Sequence, residues 1–94
     1  MASSNTGAPR LVGVIDIGST AIRLVIAEIH PSGEWRRLDR AIRPVPLGKD
    51  VFLNGSISRE TLQLCLRVLA GFLELLQGWQ ISQENVRVIA TAAI

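Results

Sequence analysis

Cysteine, histidine and aromatic residues are nearly missing from this chain. Its 94 residues include one cysteine, one histidine, two tryptophans, two phenylalanines and no tyrosine. Cys65 alone cannot build a disulfide framework, and with only His30 beside it no multi-residue Cys/His metal site can form. So few rings cannot make a stacking platform for single-stranded nucleic acid. The formal charge of +2 suits an anionic ligand, but there is no dense basic stripe of the kind that grips a duplex, so no nucleic-acid partner is expected. Long hydrophobic runs are also absent. The longest is far short of a membrane span and contains Asp16. The opening "MASSNTGAP" lacks the basic start and apolar centre of a secretion signal. These absences lead to the expectation of a soluble cytoplasmic protein with no membrane partner. Residues 1–10 are expected to form a disordered N-terminal tail, and 11–94 the folded part.

What is present is a chain that is 48% hydrophobic, enough for a packed core in one small domain or part of a larger one. "LVGVIDI", Leu11 to Ile17, is almost continuously apolar and predicts a strand buried on both faces. Gly18, Ser19 and Thr20 make a tight connection to a second β-rich run, Ala21 to Ile29. "HPSG" follows, with Pro31 suited to a type I turn and Gly33 to a left-handed residue closing it, which predicts a hairpin. His30 reads as a solvated turn residue. The third strand, roughly Glu34 to Val45, carries Arg36, Arg37, Arg40 and Arg43, with Pro44 at its end. Charges and proline are edge-strand devices, so this strand is placed at the sheet edge with its arginines solvated.

"LGKDVFLNGSI" reads as a loop with turn signals at Gly48 and Asn54-Gly55. Ser58 then reads as a helix N-cap, with Glu60 in the first turn and Gly78 as the stop after about Gln77. Leu62, Cys65, Leu66, Leu69, Phe72, Leu73 and Leu76 are assigned to one core-facing stripe, and Trp79 is expected to fold back on Leu73. "NVRVIAT", Asn85 to Thr91, predicts a fourth strand reached by a crossover and parallel to the first. No C-terminal helix follows to cover the sheet's second face. The chain is therefore expected to be the front part of a larger α/β domain, in the order β-β-β-α-β.

A carboxylate at the end of a buried strand is costly unless something compensates it. Asp16 cannot attract phosphate directly, but it fits a site where a hydrated divalent cation lies between them. Amides of Gly18 and Ser19 and hydroxyls of Ser19 and Thr20 can donate to phosphate oxygens. Arg23 can clamp another phosphate bidentately. On these residues alone an Asx turn at Asp16 explains the pattern equally well.

"DIGST" resembles the first phosphate loop of the actin-like ATPase superfamily, which includes sugar kinases, heat-shock chaperones, bacterial division proteins and the Ppx/GppA phosphatases. Several separated motifs together resemble the N-terminal stretch of the Ppx/GppA exopolyphosphatase family. They are the turn at Asp16, Gly18, Ser19 and Arg23; the loop at Leu47-Gly48; the helix start at Gly55, Ile57 and Ser58; and the strand end at Ala90, Thr91 and Ala93. Thr20 departs from the family's usual Asn. The family's catalytic glutamate and second Gly-rich loop, which follow the "TAAI" position, are not in this chain.

The resemblance implies an incomplete ribonuclease H-like (actin-like ATPase) domain from an enzyme that cleaves the terminal phosphoanhydride of inorganic polyphosphate or guanosine pentaphosphate. It implies Asp16 as holder of a hydrated Mg²⁺, and Gly18, Ser19, Thr20, Arg23 and Thr91 as phosphate-binding residues. Lys49 is a weaker candidate. The fragment itself is expected to be inactive, and a homodimeric parent stays open. Alternative readings are the ATP-binding loop of a sugar kinase and a non-enzymatic ATP-binding scaffold.

Overall fold

The computed structural model describes residues 7–91. Strand β1 spans Arg10–Ile17, β2 Ala21–Ile29, β3 Trp35–Pro44 and β4 Val86–Ala90, and they form one sheet in the order β3-β2-β1-β4. β1 pairs with β2 and β2 with β3 antiparallel, whereas β4 lies parallel to β1. The hairpins, the edge position of β3 and the parallel fourth strand are as the sequence predicts. Gly33 closes the β2–β3 turn at φ +95°, a conformation that favours glycine. His30 sits at that turn, but its ring is not merely solvated. Its Nε2 lies 2.9 Å from Glu28 Oε1, the oxygen that also accepts from Arg36 at 3.2 Å. A bulge between Ile26 and Ala27 leaves Leu38 outside the ladder and turns it towards the core.

"LGKDVFLNGSI" is not a loop: Leu47–Asn54 forms a short helix, α1. Pro46 and Gly55, which look like turn punctuation, frame it. Pro46 stands at the N-cap, and Gly55 ends the helix at φ +71°. The second helix, α2, spans Arg59–Gly78. As expected, its N-cap is Ser58, whose side chain accepts from the Thr61 amide.

Two details of α2 differ from expectation. The helix runs through Gly78, and the left-handed residue beyond it is Gln80, at φ +59°. Gln80 N–H donates to Gln77 O and Ile81 N–H to Leu76 O, the paired bonds of a Schellman ending. The apolar closure therefore falls to Ile81 and Leu76, both buried, rather than to Trp79 and Leu73. The core line of the helix is Thr61, Cys65, Phe72 and Leu76, while Leu62, Leu66 and Leu73 are exposed. An α-helix presents only one sector to a sheet, and this one is apolar over a wider sector than the sheet covers.

α2 packs on the sheet face made by Ile15, Ile22, Leu24 and Ile26, with Val45, Leu47 and Phe72 completing the core. Close approach is possible because β1 carries Gly13 at the crossing, where a Cβ would collide with Leu76. Truncating the fully buried Phe72 to Ala would cost about 3–5 kcal/mol. Cys65 is a buried free thiol in this core, as expected. Among the described residues no helix is long and apolar enough to cross a membrane. The expected disordered tail lies mostly outside the described residues. Its last residue, Arg10, begins β1.

Candidate functional site

The β1–β2 register places Asp16 directly opposite Arg23. Side chains of cross-strand partners share a face. Ile15 and Leu24 point into the core, so Asp16 and Arg23 point to the face away from α2. Asp16 is half-buried and Arg23 exposed. The ion pairs among the described residues are His30–Glu28 and Arg36–Glu28, so this opposed couple is not one of them.

The connection between the two strands is held from its carbonyl side. Ser19 O accepts from the Gly48 amide at 2.8 Å, and Thr20 O accepts from the Val45 amide at 3.1 Å. Gly18 N–H donates to Ala21 O at 2.9 Å. The Ser19 and Thr20 amides find no acceptor among the described residues, and both residues are exposed. A turn whose carbonyls are tied down and whose amides are free is a donor array suited to an anion.

Gly18 lies in the middle of the constellation. A Cβ there would stand 3.1 Å from Ala21 O, 3.5 Å from Arg23 Nη1 and 3.7 Å from Thr91 Oγ1. Thr91 arrives from the end of β4. Its amide donates to Ile17 O at 2.9 Å and its hydroxyl to Asp16 Oδ1 at 2.8 Å. The fold thus gathers Asp16, Gly18, Ser19, Thr20, Arg23 and Thr91 at one end of the sheet.

No group of three or more His, Cys, Asp or Glu side chains is clustered among the described residues. A dehydrated ion in an all-protein cage therefore has no ligand set here. Mg²⁺ is different: it keeps most of its water and needs only one or two carboxylates besides substrate phosphate. Asp16 fits that demand, since only its Oδ1 is bonded to a described residue.

Gly48 supports this turn, although the sequence marked it only as a turn signal and as part of the family motif. Its amide anchors Ser19, and a Cβ on it would meet Ser19 Cβ at 2.8 Å. The only hint in the sequence was the recurrence of Leu-Gly in the family pattern. Lys49 is exposed on α1, with no hydrogen-bond or ion-pair partner among the described residues. A concavity of about 590 Å³ lies elsewhere, between α2 and β4, and is lined by Ile15, Leu73, Leu76, Ile81, Val86 and Val88.

No protein-family model matches the chain. Individual proteins do. It is 34% identical over 85 residues to Exopolyphosphatase 2 of Mycobacterium tuberculosis, covering 87% of this chain and 26% of that protein. The crystal structure of the Aquifex aeolicus Ppx/GppA family member superposes with a TM-score of 0.74 at 28% identity, over 89% of this chain and 26% of that one. The chain is thus similar in sequence to exopolyphosphatases and in fold to a solved Ppx/GppA protein. A further relative is the Fusobacterium nucleatum bifunctional 3-dehydroquinate synthase/phosphatase, 29% identical over 83 residues, which are 84% of this chain and 12% of that protein. The chain thus spans about a quarter or less of the relatives it matches. The α/β arrangement is the actin-like ATPase fold of Ppx/GppA proteins, with α1 added to the expected element order.

Proposed function

We propose that this chain is the N-terminal phosphate-binding part of an exopolyphosphatase-type phosphohydrolase. The complete enzyme removes the terminal phosphate of inorganic polyphosphate or guanosine pentaphosphate. The observation that carries this reading is the pair of amides at Ser19 and Thr20 that find no acceptor among the described residues, flanked by Asp16 and Arg23, which form no ion pair with each other. The similarity to exopolyphosphatases supports the substrate class.

In this reading the turn at Gly18, Ser19 and Thr20 binds the reacting phosphate and donates to its oxygens as negative charge builds there. Because the carbonyls are tied to Gly48 and Val45, the amides are aimed in advance and little reorganisation is needed. Arg23 binds a phosphate farther along the substrate and keeps the chain in register. Asp16 holds the hydrated Mg²⁺, which when bound neutralises phosphoryl charge. Thr91 borders the cleft from β4. In-line attack by water also needs a base. That role goes to a glutamate outside this chain, so the 94-residue fragment alone is inactive.

The test is phosphate release by the full-length protein with Mg²⁺, offered inorganic polyphosphate and guanosine pentaphosphate in parallel, with Asp16→Ala beside wild type. Release from either substrate, greatly reduced in the variant, is expected. ATP turnover that requires a sugar would place the loop in a kinase instead, and full activity in Asp16→Ala would reduce Asp16 to a turn residue.

A further inference from the structure

We propose that Thr91 is a positioning residue that fixes the Asp16 carboxylate, and not a hydrogen-bond donor to phosphate. A hydroxyl carries one proton. Thr91 Oγ1 lies 2.8 Å from Asp16 Oδ1, and an ionised carboxylate can only accept, so the proton is committed there. The other neighbour within reach, Ile17 O at 3.4 Å, is also an acceptor and a poorer one. Unprotonated phosphate oxygens are acceptors too. Thr91 has no second proton to offer them.

The backbone strengthens the assignment. The Thr91 amide donates to Ile17 O at 2.9 Å, so the main chain and the side chain of Thr91 grip adjacent residues of β1. Arg23, across the ladder, does not pair with Asp16. The Thr91 hydroxyl is therefore the only described side chain that orients the carboxylate. With Oδ1 held, Oδ2 is left without a hydrogen-bond partner among the described residues. The consequence for Mg²⁺ rests on the reading of Asp16 given above.

The experiment compares Thr91→Val, which removes the proton at nearly constant shape, with Thr91→Ser, which keeps it. The first readout is independent of activity: the three-bond couplings of the Asp16 β-protons by NMR, without metal. Wild type and Thr91→Ser are expected to show a single rotamer, and Thr91→Val averaged couplings. The second readout is phosphate release by the full-length protein. The Mg²⁺ concentration for half-maximal rate should rise about tenfold in Thr91→Val. KM for polyphosphate at saturating Mg²⁺ should not change, and Thr91→Ser should restore both. Averaged couplings already in wild type, or unchanged couplings in Thr91→Val, would overturn the proposal. So would a raised KM with an unchanged Mg²⁺ requirement. If the couplings respond but Asp16→Ala leaves the Mg²⁺ dependence intact, the positioning contact stands and the metal reading of Asp16 fails.

Discussion

Asp16 and Arg23 face each other across the β1–β2 ladder and do not form an ion pair. Opposite charges in that position usually attract one another. Here Asp16 is held by Thr91, and an Arg23 guanidinium nitrogen lies beside Gly18. In the proposed function this separation matters, because a closed pair would satisfy both groups before a cation and a phosphate arrive. Asp16→Asn keeps an oxygen that can accept from Thr91, so its unfolding free energy should stay within about 0.5 kcal/mol of wild type. Its Mg²⁺-dependent phosphate release should be lost. Arg23→Ala should weaken polyphosphate binding about ten- to a hundredfold and leave the Mg²⁺ requirement alone, since hydrogen bonds to charged groups contribute about 1.5–3 kcal/mol. Urea unfolding and substrate titration check both variants.

The same substitution should act in opposite directions at two helical glycines. In the interior of a helix, Ala is favoured over Gly by about 0.8–1.0 kcal/mol. At Gly71, in the middle of α2, a Cβ meets nothing within 4 Å, so Gly71→Ala should stabilise by roughly that amount. At Gly48 the Cβ would stand 2.8 Å from Ser19 Cβ and 3.4 Å from Ser19 O, and neither can swing aside without moving the loop. Overpacking of this kind costs about 1–3 kcal/mol, which outweighs the propensity gain. Gly48→Ala should therefore destabilise, and it should also weaken phosphate binding because it pushes on the turn that carries the amides. A stabilised Gly48→Ala with full affinity would show that the loop is not held by α1.

The strands were legible because their signals are local. β1 is a continuous apolar run, β2 follows a tight small-residue turn, and Pro31 and Gly33 mark the hairpin. The Ser58 cap was legible for the same reason. α1 was not, because eight residues give too little periodicity and its framing Pro46 and Gly55 serve loops equally well. The leucines of α2 announced an apolar face, but not which sector the sheet would cover. That depends on the approach at Gly13, where Leu76 rests on β1. At the site, Asp16 through Arg23 lie in one short segment and could be read together. The Thr91–Asp16 bond joins residues 75 positions apart and exists only because β4 returns parallel to β1.

Asp50 links the two helices. Its carboxylate accepts from the Ser58 amide at the start of α2 and from Asn54 Nδ2 at 3.0 Å. Chiefly through the Ser58 amide, with further bonds from the Ser58, Thr61 and Asn54 side chains, its pKa is held below the ordinary value of 3.8. A carboxyl with a lower pKa folded than unfolded stabilises the fold at pH above its unfolded value. That contribution fades as pH falls through the lower, folded value. The urea midpoint of the wild type should therefore drop in acid more steeply than that of Asp50→Asn, and the two curves should converge at the lowest pH. Parallel curves would mean that this carboxylate is not linked to folding.

Gln80 occupies a position where glycine is the usual choice. Its φ of +59° is required by the ending of α2, in which Gln80 N–H reaches Gln77 O at 2.9 Å and Ile81 N–H reaches Leu76 O at 3.0 Å. An L-residue with a Cβ pays about 1–2 kcal/mol in the left-handed region. Glycine avoids that strain but gives the unfolded chain more freedom, which offsets about 0.4–1 kcal/mol. Gln80→Gly should accordingly stabilise by about 0.5–1 kcal/mol, read as a higher urea midpoint at unchanged slope. Gln80→Val, with a branched Cβ, should move the midpoint the other way. The effect should reach β4 as well, because Ile81 is buried against the core immediately before the turn at Gln83–Asn85 that leads into Val86. Amide exchange in Val86–Ala90 should slow in the glycine variant. Unchanged exchange there would mean that the helix ending and the strand that delivers Thr91 to Asp16 are held independently.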